Sequence, residues 1–154
     1  MDASSPFARL LEAIAEGARG LPVVFPVHPR TAKQLREMEG QIPGMHYVDP
    51  QGYLEFNYLV RHAKGVITDS GGITEETTVM GVPCLTLRDN TERPETVTLG
   101  TNELVDPADA GTILATVRAP ASRGRLATPP TIPLWDGHAS ERGVEAIGAW
   151  ARRR

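Results

Sequence analysis

Residues 65–95 read Gly65-Val66-Ile67-Thr68-Asp69-Ser70-Gly71-Gly72-Ile73-Thr74-Glu75-Glu76-Thr77-Thr78-Val79-Met80-Gly81-Val82-Pro83-Cys84-Leu85-Thr86-Leu87-Arg88-Asp89-Asn90-Thr91-Glu92-Arg93-Pro94-Glu95. A short apolar strand, Val66-Ile67-Thr68, runs through small hydrogen-bonding residues into a helix predicted over about 73–80 with two glutamates in its first turn. Gly81-Val82-Pro83 stops that helix, and Cys84 to Leu87 reads as the next strand. A strand, a crossover helix and a second apolar strand form a βαβ unit, which implies parallel pairing. The turn into the helix gathers backbone N–H groups that have no intrahelical partner, with the positive end of the helix dipole behind them. Phosphate oxygens suit such a place.

The pattern repeats outward in both directions. Phe7, Leu10, Leu11, Ile14 and Ala18 recur at helical spacing, and Gly20 with Pro22 closes that helix before the strand Val23-Val24-Phe25. Pro29 blocks the strand, Thr31 is placed to cap a helix carrying Leu35 and Met38, and Gly40 to Gly44 breaks it before a strand at Met45 to Val48. Asp49-Pro50 precedes a helix with Tyr53, Phe56, Leu59, Val60 and Ala63 facing inward. Beyond the quoted stretch come a short helix near 94–99, a strand at 102–105 and a helix at 109–117. Residues 119–133, rich in Pro, Arg and Thr, read as a surface linker, and 139–151 as a terminal helix. Alternating strands and helices predict an α/β fold: one Rossmann-like domain over 1–154, with a doubly wound parallel sheet covered on both faces.

Composition narrows the function classes. The chain has 154 residues, 40% apolar and 23% charged, which is globular usage without a run long enough to span a membrane. The net charge is −3, and the only basic cluster is Arg152-Arg153-Arg154 after the terminal helix, so no nucleic-acid footprint is expected. The single cysteine, Cys84, cannot close an internal disulfide and reads as a buried small hydrophobe. With no signal peptide visible at the opening residues, the cytoplasm is the expected compartment.

Ligands of open α/β sheets bind at the carboxyl ends of the strands. Four polar segments occupy those ends: Pro26 to Arg30, Asp49-Pro50-Gln51, Asp69 to Gly72, and Arg88 to Arg93. Ser70 offers a hydroxyl, or else caps the helix, while Gly71 and Gly72 let a ligand approach backbone amides without a Cβ in the way. Glu75 and Glu76 answer the dipole, and Glu76 is the better placed to accept hydrogen bonds from ribose hydroxyls. Arg93 is a candidate diphosphate clamp, or else forms a surface ion pair with Glu92. His28 stands at a strand end and Phe56 at helical core spacing after a rim loop, positions that first suggest a structural role for each. No P-loop, dinucleotide Gly-x-Gly-x-x-Gly, hydrolase elbow or metal-ligand spacing is present, so neither a metal nor a cofactor is expected.

These segments together resemble the C-terminal half of the non-hydrolysing UDP-N-acetylglucosamine 2-epimerases. The resemblance rests on Val23 to Pro29, Asp49 to Phe56, Thr68 to Glu76, Gly81 to Leu85, Arg88 to Glu95 and Pro133 to Ala139. It implies a GT-B architecture, two Rossmann-like domains facing across a cleft, with this chain as the second. By that resemblance Ser70, Gly71 and Gly72 bind the diphosphate of UDP, Glu76 the ribose, Arg93 lies at the nucleotide site, and Gln51 with Phe56 flanks the uracil. His28 falls where a second, regulatory UDP-sugar is contacted.

The family inverts C2 by eliminating UDP to a 2-acetamidoglucal and adding it back to the other face. Its sugar-facing carboxylates and a His-Arg-x-Glu-Asn segment belong to the first domain and have no counterpart here, so no catalytic residue is assigned. The expectation is an inactive UDP-binding half that needs the N-terminal Rossmann-like domain as partner. Alternatives are a non-catalytic UDP-sugar-binding module docking on a separate subunit, a hydrolysing epimerase, and a homo-oligomer.

Overall fold

Ser5 accepts a hydrogen bond from the Ala8 amide at 3.1 Å and Pro6 follows it, so the chain enters α1 (Pro6–Gly17) through a capped first turn. The computed structural model describes residues 5–36, 38, 42–107, 110–123 and 125–153. After α1 come β1 (Val23–Pro26), α2 (Pro29–Arg36), β2 (Met45–Val48), α3 (Tyr53–His62), β3 (Val66–Thr68), α4 (Gly71–Met80), β4 (Cys84–Thr86), α5 (Pro94–Thr98), β5 (Asn102–Leu104), α6 (Ala110–Arg123) and α7 (Ala139–Ala151). All five expected strands are present. Among the described residues no helix is long and apolar enough to cross a membrane.

Among the described residues all strand pairing is parallel, as the βαβ pattern demands. It forms two ladders, β1–β2 and β3–β4–β5, rather than one continuous sheet. The ladders nevertheless share a core. Ala13 and Ile14 of α1, Leu85 of β4, Val105, and Ile113 and Val117 of α6 form a buried cluster, onto which Val23 of β1 and Ile67 of β3 also pack. Helices α1 and α6 lie together on that side. Helix α4 rests on β4 and touches both α3 and α5.

Several boundaries depart from the sequence reading for local reasons. Helix α2 begins at Pro29 instead of being capped by Thr31, because proline is at home in a first helical turn. The break expected at Gly40 and the helix start expected at Asp109 lie outside the described residues. Helix α6 runs to Arg123, past Pro120, and so takes up the front of the segment read as a linker. Tyr53, read as facing inward, is 72% exposed, since it opens α3 and only Val60 of that helix is fully buried. Gly81 closes α4 at φ 69°, a left-handed conformation that costs glycine little, and its N–H bonds back to Thr77 and Thr78.

Helix α4 buries threonines where apolar residues would be usual. Thr74, Thr77 and Thr78 are essentially inaccessible. Thr74 and Thr77 donate their hydroxyls to carbonyls of their own helix, Thr74 to Gly71 at 2.6 Å and Thr77 to Ile73 at 3.0 Å, so their methyls can face the ladder without orphaned polar atoms.

Cys84 is 1% exposed, and burial pushes its thiol up to about 11, with hydrogen bonds to Thr77 and Thr86 opposing that shift. At pH 8 the folded chain is therefore expected to resist a thiol-specific reagent that labels it fully in denaturant. Rapid labelling of the native chain would show that the β3–β4–β5 core opens readily. The raised value also gives a pH slope. The neutral thiol's contribution to stability is complete below the unfolded-chain value and is lost as pH rises through about 11.

Candidate functional site

The first turn of α4 opens directly from the carboxyl end of β3. Ser70 occupies the N-cap position at φ −89° and ψ 124°, yet its side chain makes no capping bond, and its own N–H donates to Thr68 Oγ1 at 3.0 Å. The hydroxyl is thus uncommitted and exposed, at a helix mouth whose first amides lack intrahelical acceptors. Gly71 is half-buried and Gly72 exposed. A Cβ on either would meet nothing within 4 Å, and neither residue has a left-handed φ. Glycine is disfavoured in a helix by roughly 0.5–1 kcal/mol against alanine. No steric or conformational demand of this chain's own fold accounts for the pair.

Arg93 reaches α4 at Glu75 from the loop before α5. Its position is set from below by a buried relay. The Thr86 hydroxyl donates to Asn102 Oδ1 at 2.6 Å, the Asn102 amide to Thr96 Oγ1 at 3.2 Å, and the Thr96 hydroxyl to the Arg93 carbonyl at 2.7 Å. Thr86, Thr96 and Asn102 are all buried, so β4, β5 and α5 are joined beneath residue 93. Above, Arg93 Nε donates to Glu75 Oε1 at 2.7 Å. That hydrogen bond and the Glu75 charge hold the guanidinium protonated beyond even its ordinary range. The surface ion pair foreseen with Glu92 is instead made with Glu75. Glu92 contributes only its backbone carbonyl, to Nη1 at 3.2 Å.

An open groove of about 500 Å³ runs between α3 and α4 further along the helix, lined by Tyr53, Asn57, Glu75, Glu76, Val79, Met80 and Trp135. Glu76 therefore does face a ligand-sized space. Gln51 and Phe56 stand at the head of α3 outside that lining: Gln51 is exposed and donates to the Asp49 carbonyl at 2.7 Å, and Phe56 is half-buried. His28 heads α2 on the other ladder, where its Nδ1 accepts from the Arg30 amide at 3.3 Å. The structure thus places Ser70, Gly71 and Gly72 at the mouth of α4, bonds Arg93 to Glu75 one turn further along, turns Glu76 to the groove, sets Gln51 before α3 and Phe56 in it, and leaves His28 apart.

Sequence reasoning missed Glu75 as the partner of Arg93, and Asn57 and Trp135 as walls. Asn57 Oδ1 is buried with no hydrogen-bond partner among the described residues, while its Nδ2 donates to the Tyr53 carbonyl at 3.1 Å. Trp135 sits on a strap bound by Arg142, whose Nη1 reaches Asp136 Oδ2 at 2.8 Å and whose Nη2 reaches the Leu134 carbonyl at 2.8 Å. The Arg142 hydrogen bond, helped by the His138 amide, holds the Asp136 carboxyl below the usual carboxylate range. Leu134 has φ 69°, strained for a residue with a side chain, and its carbonyl accepts from Arg142. The Asp136-Gly137 turn and the arginine six residues after Asp136 were the available signals.

Residues 2–148 match the family model for UDP-N-acetylglucosamine 2-epimerase. A UDP-N-acetylglucosamine 2-epimerase of Yersinia pestis is 40% identical over 151 residues, covering 92% of this chain and 39% of that protein. One of Methanocaldococcus jannaschii is 48% identical over 88 residues, 54% of this chain and 24% of that protein. A crystal structure of the M. jannaschii UDP-GlcNAc 2-epimerase in complex with UDP-GlcNAc and UDP superposes with TM-score 0.72 and 35% identity, over 92% of this chain and 41% of that one. The chain spans about two fifths or less of the length of the relatives it matches.

Proposed function

As the chain belongs to the UDP-N-acetylglucosamine 2-epimerase family, we propose that it is the UDP-binding part of an enzyme interconverting UDP-N-acetylglucosamine and UDP-N-acetylmannosamine. The observation that carries this reading is the open mouth of α4, with an uncommitted Ser70 hydroxyl and two glycines that the fold itself does not require. The solved relative with UDP-GlcNAc and UDP bound supports it.

In this reading Ser70, Gly71 and Gly72 receive the diphosphate, Arg93 adds charged hydrogen bonds, and Glu76 accepts from the ribose hydroxyls. Gln51 and Phe56 attend the uracil, and His28 contacts a regulatory UDP-sugar. The chemistry breaks the bond between the anomeric carbon and UDP and later remakes it on an inverted sugar. Amides and a guanidinium aimed at the diphosphate stabilise the negative charge that develops as UDP departs, and they keep it in place for return. Proton transfer at C2 falls to groups elsewhere in the family's longer polypeptide.

The rest of that polypeptide is the proposed partner. Helix α7 buries no residue, and Val144 and Ile147 stand 72% and 67% exposed, with Trp150 on the same helix also exposed. That apolar face is suited to pack on another domain. The proposed compartment is the cytoplasm.

Titration calorimetry with UDP tests the reading. The wild-type chain should bind, and Arg93→Ala should weaken binding roughly tenfold or more, the worth of one hydrogen bond to a charged group. No heat at millimolar UDP would overturn it.

A further inference from the structure

A carboxylate bonded to a phosphate-gripping arginine looks counterproductive, since it adds negative charge at the mouth an anion must enter. Glu75 does this from the second turn of α4, 18 residues away from Arg93 in sequence. Stability does not explain the pair. Both side chains are substantially exposed, at 47% and 39%, where an ion pair contributes little. Nor does the loop need it, because the Arg93 backbone is already anchored through Thr96 and the Arg93 N–H donates to Thr91 Oγ1 at 3.1 Å. What remains unfixed without Glu75 is the direction of the guanidinium.

Resting on the UDP-binding reading, we infer that Glu75 is a positioning residue that aims Arg93 at the diphosphate. It takes Nε, the Glu92 carbonyl takes one hydrogen of Nη1, and the other N–H groups stay available to phosphate oxygens. A long, flexible side chain held in one direction before the ligand arrives loses less freedom on binding. Adjacent glutamates thereby divide their work: both line the groove, and Glu75 alone is bonded to the arginine.

The test compares UDP with uridine, which lacks the phosphates, by calorimetry on the wild-type chain, Glu75→Ala and Glu75→Gln. Glu75→Ala should bind UDP about fivefold more weakly, about 1 kcal/mol, with uridine affinity and the unfolding midpoint unchanged. Glu75→Gln should restore UDP binding, because its amide oxygen still accepts from Nε. Undiminished UDP affinity in Glu75→Ala, or tighter binding in both variants, overturns the inference, as does failure of Gln to rescue. A wild-type chain that does not favour UDP over uridine instead removes the reading beneath it.

Discussion

Asn102→Ala is expected to lower the stability of the chain by about 3 kcal/mol, with the urea midpoint falling at unchanged slope. Asn102 is 5% exposed and is the middle of three buried side chains, accepting from Thr86 and donating to Thr96. Alanine leaves the Thr86 hydroxyl without its acceptor and Thr96 without its donor, each worth about 1–3 kcal/mol when buried, and adds a small cavity. Water cannot readily make good the loss, because Thr86 and Thr96 are 1% and 0% exposed. The consequence reaches the site. Thr96 loses the bond that sets its hydroxyl against the Arg93 carbonyl, so UDP affinity should fall as well, even at low temperature where the variant remains folded. In its neutral form Asn102→Asp keeps an acceptor for Thr86 and an O–H donor for Thr96, so it should be the milder change, whereas the ionised form loses the donor and buries a charge. A stability loss below about 1 kcal/mol for the alanine variant would mean that the relay does not tie α5 to the ladder.

That relay also marks where sequence reading stops. Apolar runs punctuated by Gly and Pro located all five strands, and the terminal helix was read at its observed limits of Ala139 and Ala151. Local punctuation reports local structure. Asn102 meets Thr86 only because the parallel register sets Cys84 against Asn102 and Thr86 against Leu104, information that no window of sequence contains. The same holds for Glu75 and Arg93, brought together across a helix, a strand and a loop. Helix α6 passes Pro120, where a proline should end it, and Ile113 and Val117, packed in the core with α1, supply tertiary contacts that can override local preference. The buried face of α4 was invisible for another reason. Threonine reads as a surface residue, and only the bonds of Thr74 and Thr77 to their own helix make its burial inexpensive. Of the site, the residues at the mouth of α4 were legible because Ser-Gly-Gly before a helix carries its own chemistry, whereas the walls added by Asn57 and Trp135 were not.

The sharpest separation of fold from function is expected at Gly72. Gly72→Asp should fold at least as stably as the parent chain while losing UDP affinity about a hundredfold. Its Cβ enters open space and its φ is not left-handed, so the change removes a first-turn glycine at no steric cost. An aspartate in the first turn also faces the positive end of the α4 dipole, worth about 0.3–1 kcal/mol, so a gain near 1 kcal/mol in all is reasonable. Binding should move the opposite way. The carboxylate enters the space proposed for the diphosphate and carries the same charge. Two unit charges about 4 Å apart interact by roughly 4 kcal/mol at an effective dielectric near 20, and salt screening brings that toward the 2.7 kcal/mol of a hundredfold loss. Gly72→Ala supplies the graded control, also more stable than the parent but weakened mainly by the methyl group. The pair of variants separates two explanations of the glycines. If the fold needs them, both substitutions destabilise and binding falls only as folding does. If the ligand needs them, stability rises while affinity drops, and aspartate is much worse than alanine. A Gly72→Asp chain that binds UDP as the parent does would place the anion somewhere other than the mouth of α4.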